Sequence, residues 1–279
     1  MNRRKFLKGT TALAGAGVVT GVYGWQVEPF WLEFVQLKMP IINLPEHLEG
    51  KTLMQISDVH VGPVVKDSFI IDALSEAKEY NPDFVVYTGD YVHYRGENVL
   101  TQLKEITKHF VTGKLGTVGI LGNHDFGDLW AQPEVANQIS AILEQQNITV
   151  LRNSNVTIEG LNFIGIDDFW GTNFYPEKVL NNINHNKANL VLCHNPDVCD
   201  LPIWNNYKGW ILSGHTHGGQ VKPPFLPPPI LPVDNKNYDQ GLKKLSDGRT
   251  LYINRALGHL KQIRFNVRPE ITIFELTKS

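Results

Sequence analysis

Five short stretches, widely separated in the chain, each follow a predicted strand and carry side chains of the kind that bind metals. They are Asp58–His60, Gly89–Asp90, Gly122–Asp125, Cys193–Asn195 and Gly214–His217. In open α/β sheets, ligands gather at the carboxyl ends of the strands. We therefore expect an α/β fold in which these five loops converge on a single site.

The apolar pattern between these stretches alternates between strand and helix. Strands are predicted at Trp31–Ile42 (an edge strand), Lys51–Ser57, Phe84–Thr88, Val118–Leu121, Ile148–Leu151, Val156–Ile158, Asn162–Ile166, Leu190–Cys193, Trp210–Leu212, Thr250–Asn254 and Ile271–Leu276. Helices are predicted at Asp67–Tyr80, Glu97–Phe110 and Pro133–Gln146, with Asp67 as the N-cap of the first. No internal repeat or interdomain linker is visible, so residues 26–279 are predicted to form one domain.

The composition supports a globular protein without affinity for nucleic acid. Of the 279 residues, 42% are apolar and 19% are charged, which is ordinary for a packed core. The net charge of −2 provides no basic field for nucleic acid. The chain is also expected to be a monomer. Cys193 and Cys199 lack the partners of a structural zinc site, which leaves two free thiols or a short-loop disulfide as alternatives.

Residues 1–25 are predicted to be a targeting segment. The run from Asn2 to Lys8 resembles the twin-arginine export signal of bacteria, and a weakly apolar, glycine-rich run follows to Gly24. The alternative is a basic tail followed by a marginal core helix, although glycine is a poor helix former. At about 16 residues, the apolar run is at the short limit for a membrane span, so a cleaved signal and an uncleaved anchor both stay open.

This resemblance implies export of the folded chain by the twin-arginine machinery. The expected location is the outer face of the cytoplasmic membrane, the periplasm or the cell wall. A proline-rich stretch, Lys222–Pro232, directly follows the Gly214–Gln220 motif and should lie beside the site. It is interpreted as a surface strap, or as a wall for an apolar substrate or a membrane contact.

Taken in order, the five motifs resemble the calcineurin-like metallophosphoesterase superfamily over residues 50–276. The stretches Gly214–Gln220, Gly241–Leu242, Leu251–Arg255 and Arg268–Ile271 make the chain similar to the exported bacterial branch of single-domain phosphohydrolases and phosphodiesterases. The resemblance implies a four-layer α/β/β/α sandwich with a dimetal site at the carboxyl ends of the strands.

The resemblance also implies a role for each residue of the site. Asp58, His60 and His217 would hold one metal, Asn123, His194 and His215 would hold a second, and Asp90 would bridge both through its two carboxylate oxygens. Imidazole and carboxylate ligands suit two divalent ions, for which manganese is preferred and iron or zinc are alternatives. His124 would protonate the leaving group, and Asp125 would orient or tune its ring.

Two departures narrow the substrate class. Purple acid phosphatases place a tyrosine where this chain has His93, so an iron–tyrosinate centre is not expected. Protein serine/threonine phosphatases carry Asp-Arg-Gly after the second motif, and Tyr91–Gly96 does not match it. The expected function is a phosphodiesterase or pyrophosphatase for a membrane-linked or envelope compound. The alternatives are a broad-specificity phosphomonoesterase and a non-catalytic metal-holding envelope protein.

The remaining polar residues receive structural interpretations. Five histidines match no motif and are predicted to be surface or loop residues: His47, His93, His109, His185 and His259. Asp167 and Asp168 are predicted to form a turn after a strand. Arg255 and Arg264 are predicted to form ion pairs rather than to contact a phosphate.

Overall fold

The computed structural model of the protein describes residues 14–15, 17–94 and 98–279, whose strands form two six-stranded sheets. Strands and helices are numbered here in chain order. The first sheet has the order β1–β12–β2–β3–β4–β5, with β1 at Glu33–Ile41, β2 at Thr52–Ile56, β3 at Phe84–Thr88, β4 at Gly116–Ile120, β5 at Thr149–Val150 and β12 at Glu270–Lys278. The second has the order β10–β11–β9–β8–β7–β6, with β6 at Ser154–Ile158, β7 at Leu161–Ile166, β8 at Ala188–Cys193, β9 at Trp210–Ser213, β10 at Gly241–Lys244 and β11 at Thr250–Ile253.

The central strands of each sheet run parallel. In the first sheet β2, β3, β4 and β5 are parallel neighbours, with Leu53 opposite Phe84. In the second, β7, β8, β9 and β11 are parallel, with Phe163 opposite Leu190. Parallel pairing brings the carboxyl ends of neighbouring strands to one edge, and the predicted motifs follow β2, β3, β4, β8 and β9.

Helices and loops cover the outer faces of the two sheets. α1 (Asp67–Lys78), α2 (Val99–Ile106) and α3 (Pro133–Glu144) pack on the first sheet, and α4 (Glu177–Leu180) packs with loops on the second. A third cluster of buried side chains, including Val86, Phe163 and Phe274, fills the space between the sheets. The predicted α/β class and four-layer α/β/β/α arrangement are confirmed.

The boundaries of the elements show where local patterns mislead. Asp67 is not an N-cap: it is the first residue of α1, and its carboxylate accepts a hydrogen bond from Gln102 Nε2 at 2.6 Å. α2 begins at Val99, and residue 97, where a helix was predicted to start, lies outside the described residues. The short elements β10 and α4 were not predicted, because four residues are too few to show a period.

The targeting prediction covers residues 1–25, of which 1–13 and 16 lie outside the described residues. Residues 17–22 are helical and lead into a π-helical turn, Tyr23–Val27. The Arg264 N–H donates to Gly24 O at 2.8 Å, which fastens this turn to the domain. Within the part of the chain that the structure describes, no helix combines the length and the apolar character that crossing a membrane requires.

Candidate metal centre

The loops after β2, β3 and β9 turn abruptly, and the predicted ligands sit at the turns. Five of them adopt positive φ: Asp58 at 52°, His60 at 52°, Asp90 at 54°, His215 at 71° and His217 at 51°. Few residues other than glycine adopt this conformation, and such strain concentrates at functional sites. The loops also approach closely, since a Cβ on Gly122 would lie 2.3 Å from Asp90 Oδ1.

Asp58, His60 and His217 form the first group of potential metal ligands. One atom from each lies within 4.8 Å of the others, and all three residues are buried. His60 Nε2 is 3.0 Å from His217 Nε2, and His217 Nε2 is 3.3 Å from Asp58 Oδ1. The His215 N–H donates to the Asp58 carboxylate at 3.1 Å, which fixes the orientation of that side chain.

Asp90, His194 and His215 form the second group, which meets the same distance limit. His194 Nε2 is 3.2 Å from Asp90 Oδ2, and the other ring nitrogen, Nδ1, is 2.7 Å from Thr88 O. His215 Nε2 is 2.8 Å from Pro232 O. A backbone carbonyl beside one ring nitrogen fixes the tautomer and leaves the other nitrogen free to bind a metal.

Asp90 connects the two groups through one oxygen. Its Oδ2 is 3.2 Å from His194 Nε2 in the second group and 3.6 Å from His60 Nε2 in the first. Its Oδ1 accepts a hydrogen bond from the His124 N–H at 2.9 Å. The hydrogen bond to Oδ1 fixes the orientation of the carboxylate, and the bridge through both oxygens stays a prediction.

The polar atoms that face this space have too few partners within the protein. Among the predicted ligands, Asn123 Oδ1 and His194 Nε2 are buried, and neither has a hydrogen-bond partner among the described residues, although His194 Nε2 lies 3.2 Å from Asp90 Oδ2. Unpaired buried polar atoms are rare and call for an explanation such as a bound ion. Carboxylate, imidazole and amide ligands in two adjoining groups fit a pair of divalent cations.

The electrostatics favour positive charge at this position. Burial raises the pKa of the Asp58 carboxyl, but the imidazoles of His194 and His217 outweigh it and hold that pKa below its usual value. Burial lowers the pKa of His194, but Asp90 and Asp58 raise it well above its usual value. Burial lowers the pKa of His215 to about 3, so this ring is neutral at pH 7, as a ligand must be.

Comparison with known proteins identifies this arrangement. The family model of calcineurin-like phosphoesterases matches residues 51–219, which contain all nine predicted site residues. The chain belongs to the calcineurin-like phosphoesterase family. Members are metal-dependent phosphoester hydrolases that typically use two divalent ions, which confirms the predicted enzyme class.

Three curated relatives match almost the whole chain. "Phosphodiesterase YaeI" of Escherichia coli is 30% identical over 99% of this chain and 99% of its own length. "Uncharacterized metallophosphoesterase YkuE" of Bacillus subtilis is 30% identical over 99% and 98%. "UDP-2,3-diacylglucosamine pyrophosphatase LpxG" of Chlamydia muridarum is 27% identical over 94% of both chains.

The carboxylate of Asp125 contacts backbone amides, whereas the sequence predicted that it would act on the ring of His124. Its carboxylate is fully buried and accepts hydrogen bonds from three backbone amides, those of Gly122, Tyr91 and Val92, at 2.9 to 3.2 Å. None of the hydrogen bonds described for Asp125 goes to the ring of His124. The prediction that it orients this ring is replaced by a structural role, in which Asp125 ties the loop after β3 to the loop after β4.

His124 lies at the mouth of the centre and is only partly buried. Its ring centroid is 5.1 Å from that of His60 and 5.3 Å from that of His93, which stacks against it. Trp130 and Trp170 stack at 4.9 Å, and Trp170 in turn packs edge-on against His215 at 4.5 Å. The sequence provided no signal for this aromatic wall, which runs from His124 to the second ligand group.

Two of the five unassigned histidines lie in loops, as predicted, but are buried rather than at the surface. His47, His109 and His185 are exposed, as predicted, but His93 and His259 are buried. His93 joins His60 and His124 in a third group of ring nitrogens within 4.8 Å. The sequence signal for this location was that His93 follows Asp90 by three residues. The loop that brings Asp90 to the metal centre also brings the residues next to it.

The two arginines behave differently from one another. Arg255 pairs with Glu33 and with Glu270, as predicted. Among the described residues Arg264 has no acidic partner: its guanidinium is fully buried and donates to four carbonyls, those of Arg255, Ala256, Gly258 and Val267. Burial lowers its pKa to about 9. Arg264 thereby fastens the loop whose Gly258 N–H donates to Asp58 O at 2.8 Å.

The remaining predictions concern the second sheet. Cys193 and Cys199 are both free and buried, so the disulfide alternative is wrong. Asp167 and Asp168 follow β7 in a turn, as predicted, where Asp167 pairs with Arg152 at 3.0 Å. Asp168 is fully buried and accepts from the Trp170 N–H at 2.8 Å, and burial raises its pKa to about 7.

Proposed function

We propose that this protein hydrolyses a phosphodiester or pyrophosphate bond in a membrane-linked compound, with two divalent cations held by its seven predicted ligands. The observation that carries the proposal is the pair of adjoining three-residue groups. His60 of one group and His194 of the other both lie within 3.6 Å of Asp90 Oδ2. Manganese is the preferred metal, and iron and zinc are the alternatives, because the ligands include imidazole and carboxylate but no thiolate.

The ligands divide between the two ions according to the loops that carry them. Asp58, His60 and His217 would hold one, Asn123, His194 and His215 the other, and Asp90 Oδ2 would face both. When bound, two adjacent divalent ions stabilise charge on the phosphoryl oxygens and clamp the attacking and leaving oxygens of an in-line displacement. The protein supplies a rigid set of ligands, since backbone groups fix the side chains of Asp58, Asp90, His194 and His215.

His124 is placed to act on the leaving group. Its backbone N–H is fixed on Asp90, while its ring lies partly exposed at the mouth of the centre, beside His60. From there it could donate a proton to the leaving oxygen and offset charge on the phosphoryl group. His93 stacks on this ring and limits its rotation.

The substrate class rests on the relatives and on the N-terminal sequence. A relative that covers 94% of this chain is named for a pyrophosphatase of a diacylated nucleotide sugar, and another is named a phosphodiesterase. The segment Asn2–Lys8 supports export by the twin-arginine route, which would place the enzyme on the outer side of the cytoplasmic membrane. A lipid-linked phosphate compound of the envelope is consistent with both.

The test is a substrate panel with the manganese-loaded protein and its His124→Ala variant as the matched control. The panel comprises bis(p-nitrophenyl) phosphate, p-nitrophenyl phosphate and a diacylated nucleotide-sugar pyrophosphate in detergent. We expect kcat/KM to be highest for the lipid-linked pyrophosphate, and higher for the diester than for the monoester. Preference for the monoester would contradict the proposed substrate class, and no turnover of any compound would contradict catalysis.

A further inference from the structure

Three segments that meet on one side of the protein expose an unusual number of large apolar side chains. They are the N-terminal helical segment, the proline-rich loop Lys222–Pro232 and the strip at 262–265. The exposed side chains are Val18, Val19, Val22 and Trp25 in the first, Phe225, Leu226 and Ile230 in the second and Ile263 in the third. These eight residues are called the apolar ridge.

Phe225 is the most unusual member of the ridge. It is fully exposed and has a φ of 66°. It is the third residue of a turn closed by a hydrogen bond from Leu226 N–H to Pro223 O at 3.2 Å. Such a position favours glycine or asparagine, so a bulky ring held there in water combines backbone strain with unfavourable exposure. This combination indicates that the ring has a partner outside the protein.

The three segments are joined by specific contacts. Lys222 N–H donates to Phe265 O at 2.9 Å, which places the start of the loop beside the strip. On the other side of the strip, Gln262 Nε2 donates to Trp25 O at 3.0 Å, and the ring of Tyr23 packs edge-on against Phe265. The strip therefore lies between the N-terminal segment and the loop, so the three segments that carry the ridge adjoin one another.

The loop also adjoins the metal centre. Its last residue, Pro232, provides the carbonyl that lies 2.8 Å from His215 Nε2. Pro228 packs so closely on Gly219 that a Cβ there would lie 2.4 Å from it. The loop that carries part of the ridge thus contacts His215 of the second ligand group through Pro232. The ridge side chains themselves point into solvent.

Basic residues lie beside the proline-rich loop and the strip, although the whole protein has a net charge of −2. Residues 261–268 contain three basic residues and no acidic residue; Lys261 is exposed and Arg268 is partly exposed, whereas Arg264 is buried. A pocket of about 500 Å³ beside Phe225 and Leu226 is lined by three lysines, of which Lys222 and Lys243 share the single carboxylate Asp239 and Lys236 donates to the Leu231 carbonyl. A surface that is both apolar and basic is complementary to an anionic lipid headgroup layer.

We propose that the apolar ridge and its basic surroundings dock on the surface of an anionic lipid bilayer and so present the metal centre to membrane-linked phosphate groups. A bilayer accepts a projecting ring such as Phe225 without a complementary pocket. The exposed lysines beside the ridge, Lys236 and Lys261, carry the positive charge that anionic lipid attracts, which favours a lipid surface over a protein groove. This inference rests on the proposed function for its purpose, but not for its test.

The test measures sedimentation of the full-length protein with phosphatidylcholine vesicles and with vesicles that contain about one third phosphatidylglycerol. The variant is Phe225→Ser with Leu226→Ser and Ile230→Ser. The matched control is Ile42→Ser, which removes an exposed apolar residue after β1, a strand that runs opposite to β2 and so ends away from the metal centre. Hydrolysis of soluble bis(p-nitrophenyl) phosphate and size in solution are measured for each protein.

We expect tight binding to anionic vesicles, weaker binding to neutral ones, and a decrease with added salt. The triple variant should bind about 1,000-fold more weakly, since each of the three large apolar side chains placed in the membrane is worth roughly tenfold. The Ile42 variant should bind as the parent does, and all three should hydrolyse the soluble diester equally.

Parental vesicle binding by the triple variant would overturn the docking surface. So would a dimer of the parent that the triple variant abolishes without any vesicle binding, because the ridge would then be covered by a second copy. Vesicle binding without turnover of any diester would support the docking surface and contradict the proposed function. Turnover without vesicle binding would do the reverse.

Discussion

Replacing Asp90 by asparagine should nearly abolish activity while the protein stays folded. The amide oxygen of asparagine can still accept the hydrogen bond that the His124 N–H makes with Oδ1 at 2.9 Å, so the loop geometry has no reason to change. What is lost is the negative charge on Oδ2, which lies 3.2 Å from His194 Nε2 and 3.6 Å from His60 Nε2. Both proposed metal sites lose the same charge in a single substitution.

The magnitude follows from comparison with weaker perturbations. Removing a residue that only orients a metal ligand typically costs 10–100-fold in affinity or activity. Loss of a ligand that faces both ions should therefore exceed about 100-fold in kcat/KM, which is about 2.7 kcal/mol of transition-state stabilisation. The matched variant Asn123→Ala removes one neutral oxygen from one ion, and we expect its loss to be at least about tenfold smaller.

The assay is hydrolysis of bis(p-nitrophenyl) phosphate with excess manganese, together with the metal content of each variant by mass spectrometry. Circular dichroism of the Asp90→Asn variant checks that the fold is intact. Near-normal turnover by Asp90→Asn with two bound ions would refute the shared-ligand assignment. An Asn123→Ala loss larger than the Asp90→Asn loss would refute the reasoning from charge.

Three further predictions concern export, loop anchoring and pH. Arg3→Lys with Arg4→Lys should leave active protein in the cytoplasm, because lysine keeps the charge but lacks the planar guanidinium group; unchanged outward delivery on cell fractionation would contradict a twin-arginine signal. Asp125→Ala should lower the free energy of unfolding of the metal-free protein by about 3 kcal/mol in urea titration, because three buried amides lose their acceptor, and an unchanged midpoint would exclude the anchoring role. Burial lowers the pKa of His259 from 6.5 to about 3, so the stability that its neutral form contributes should be lost as the pH falls from 6.5 towards 3. His259→Phe should reduce the change in the free energy of unfolding by up to about 1.4 kcal/mol per pH unit over this range. An identical pH dependence of the two proteins would contradict the lowered pKa.

The sequence was sufficient for the fold class and for the convergence of the predicted ligands. The reason is that each motif directly follows a strand whose apolar run is long enough to recognise. Parallel pairing then brings the ends of β2, β3 and β4 together without any knowledge of the loops. The same argument applied to β8 and β9 placed His194, His215 and His217.

What the sequence missed depends on loop paths and tertiary contacts. Asp125 is adjacent to His124 in sequence, but its carboxylate points to the amides of another loop. Arg264 satisfies backbone carbonyls instead of a carboxylate, an arrangement that no spacing rule reveals. The wall of Trp130 and Trp170 is formed by loops from different sheets, so their contact has no local signature.

The most direct test of the central claim is a metal titration of protein made metal-free by a strong chelator. Manganese bound per chain is measured alongside the rate of bis(p-nitrophenyl) phosphate hydrolysis. The account predicts no turnover without metal, two ions per chain at saturation, and full activity only when both ligand groups, Asp58–His60–His217 and Asp90–His194–His215, are filled. The account would be contradicted if protein shown to be metal-free turned over as fast as the metal-loaded protein. Full activity with a single bound ion would also contradict it.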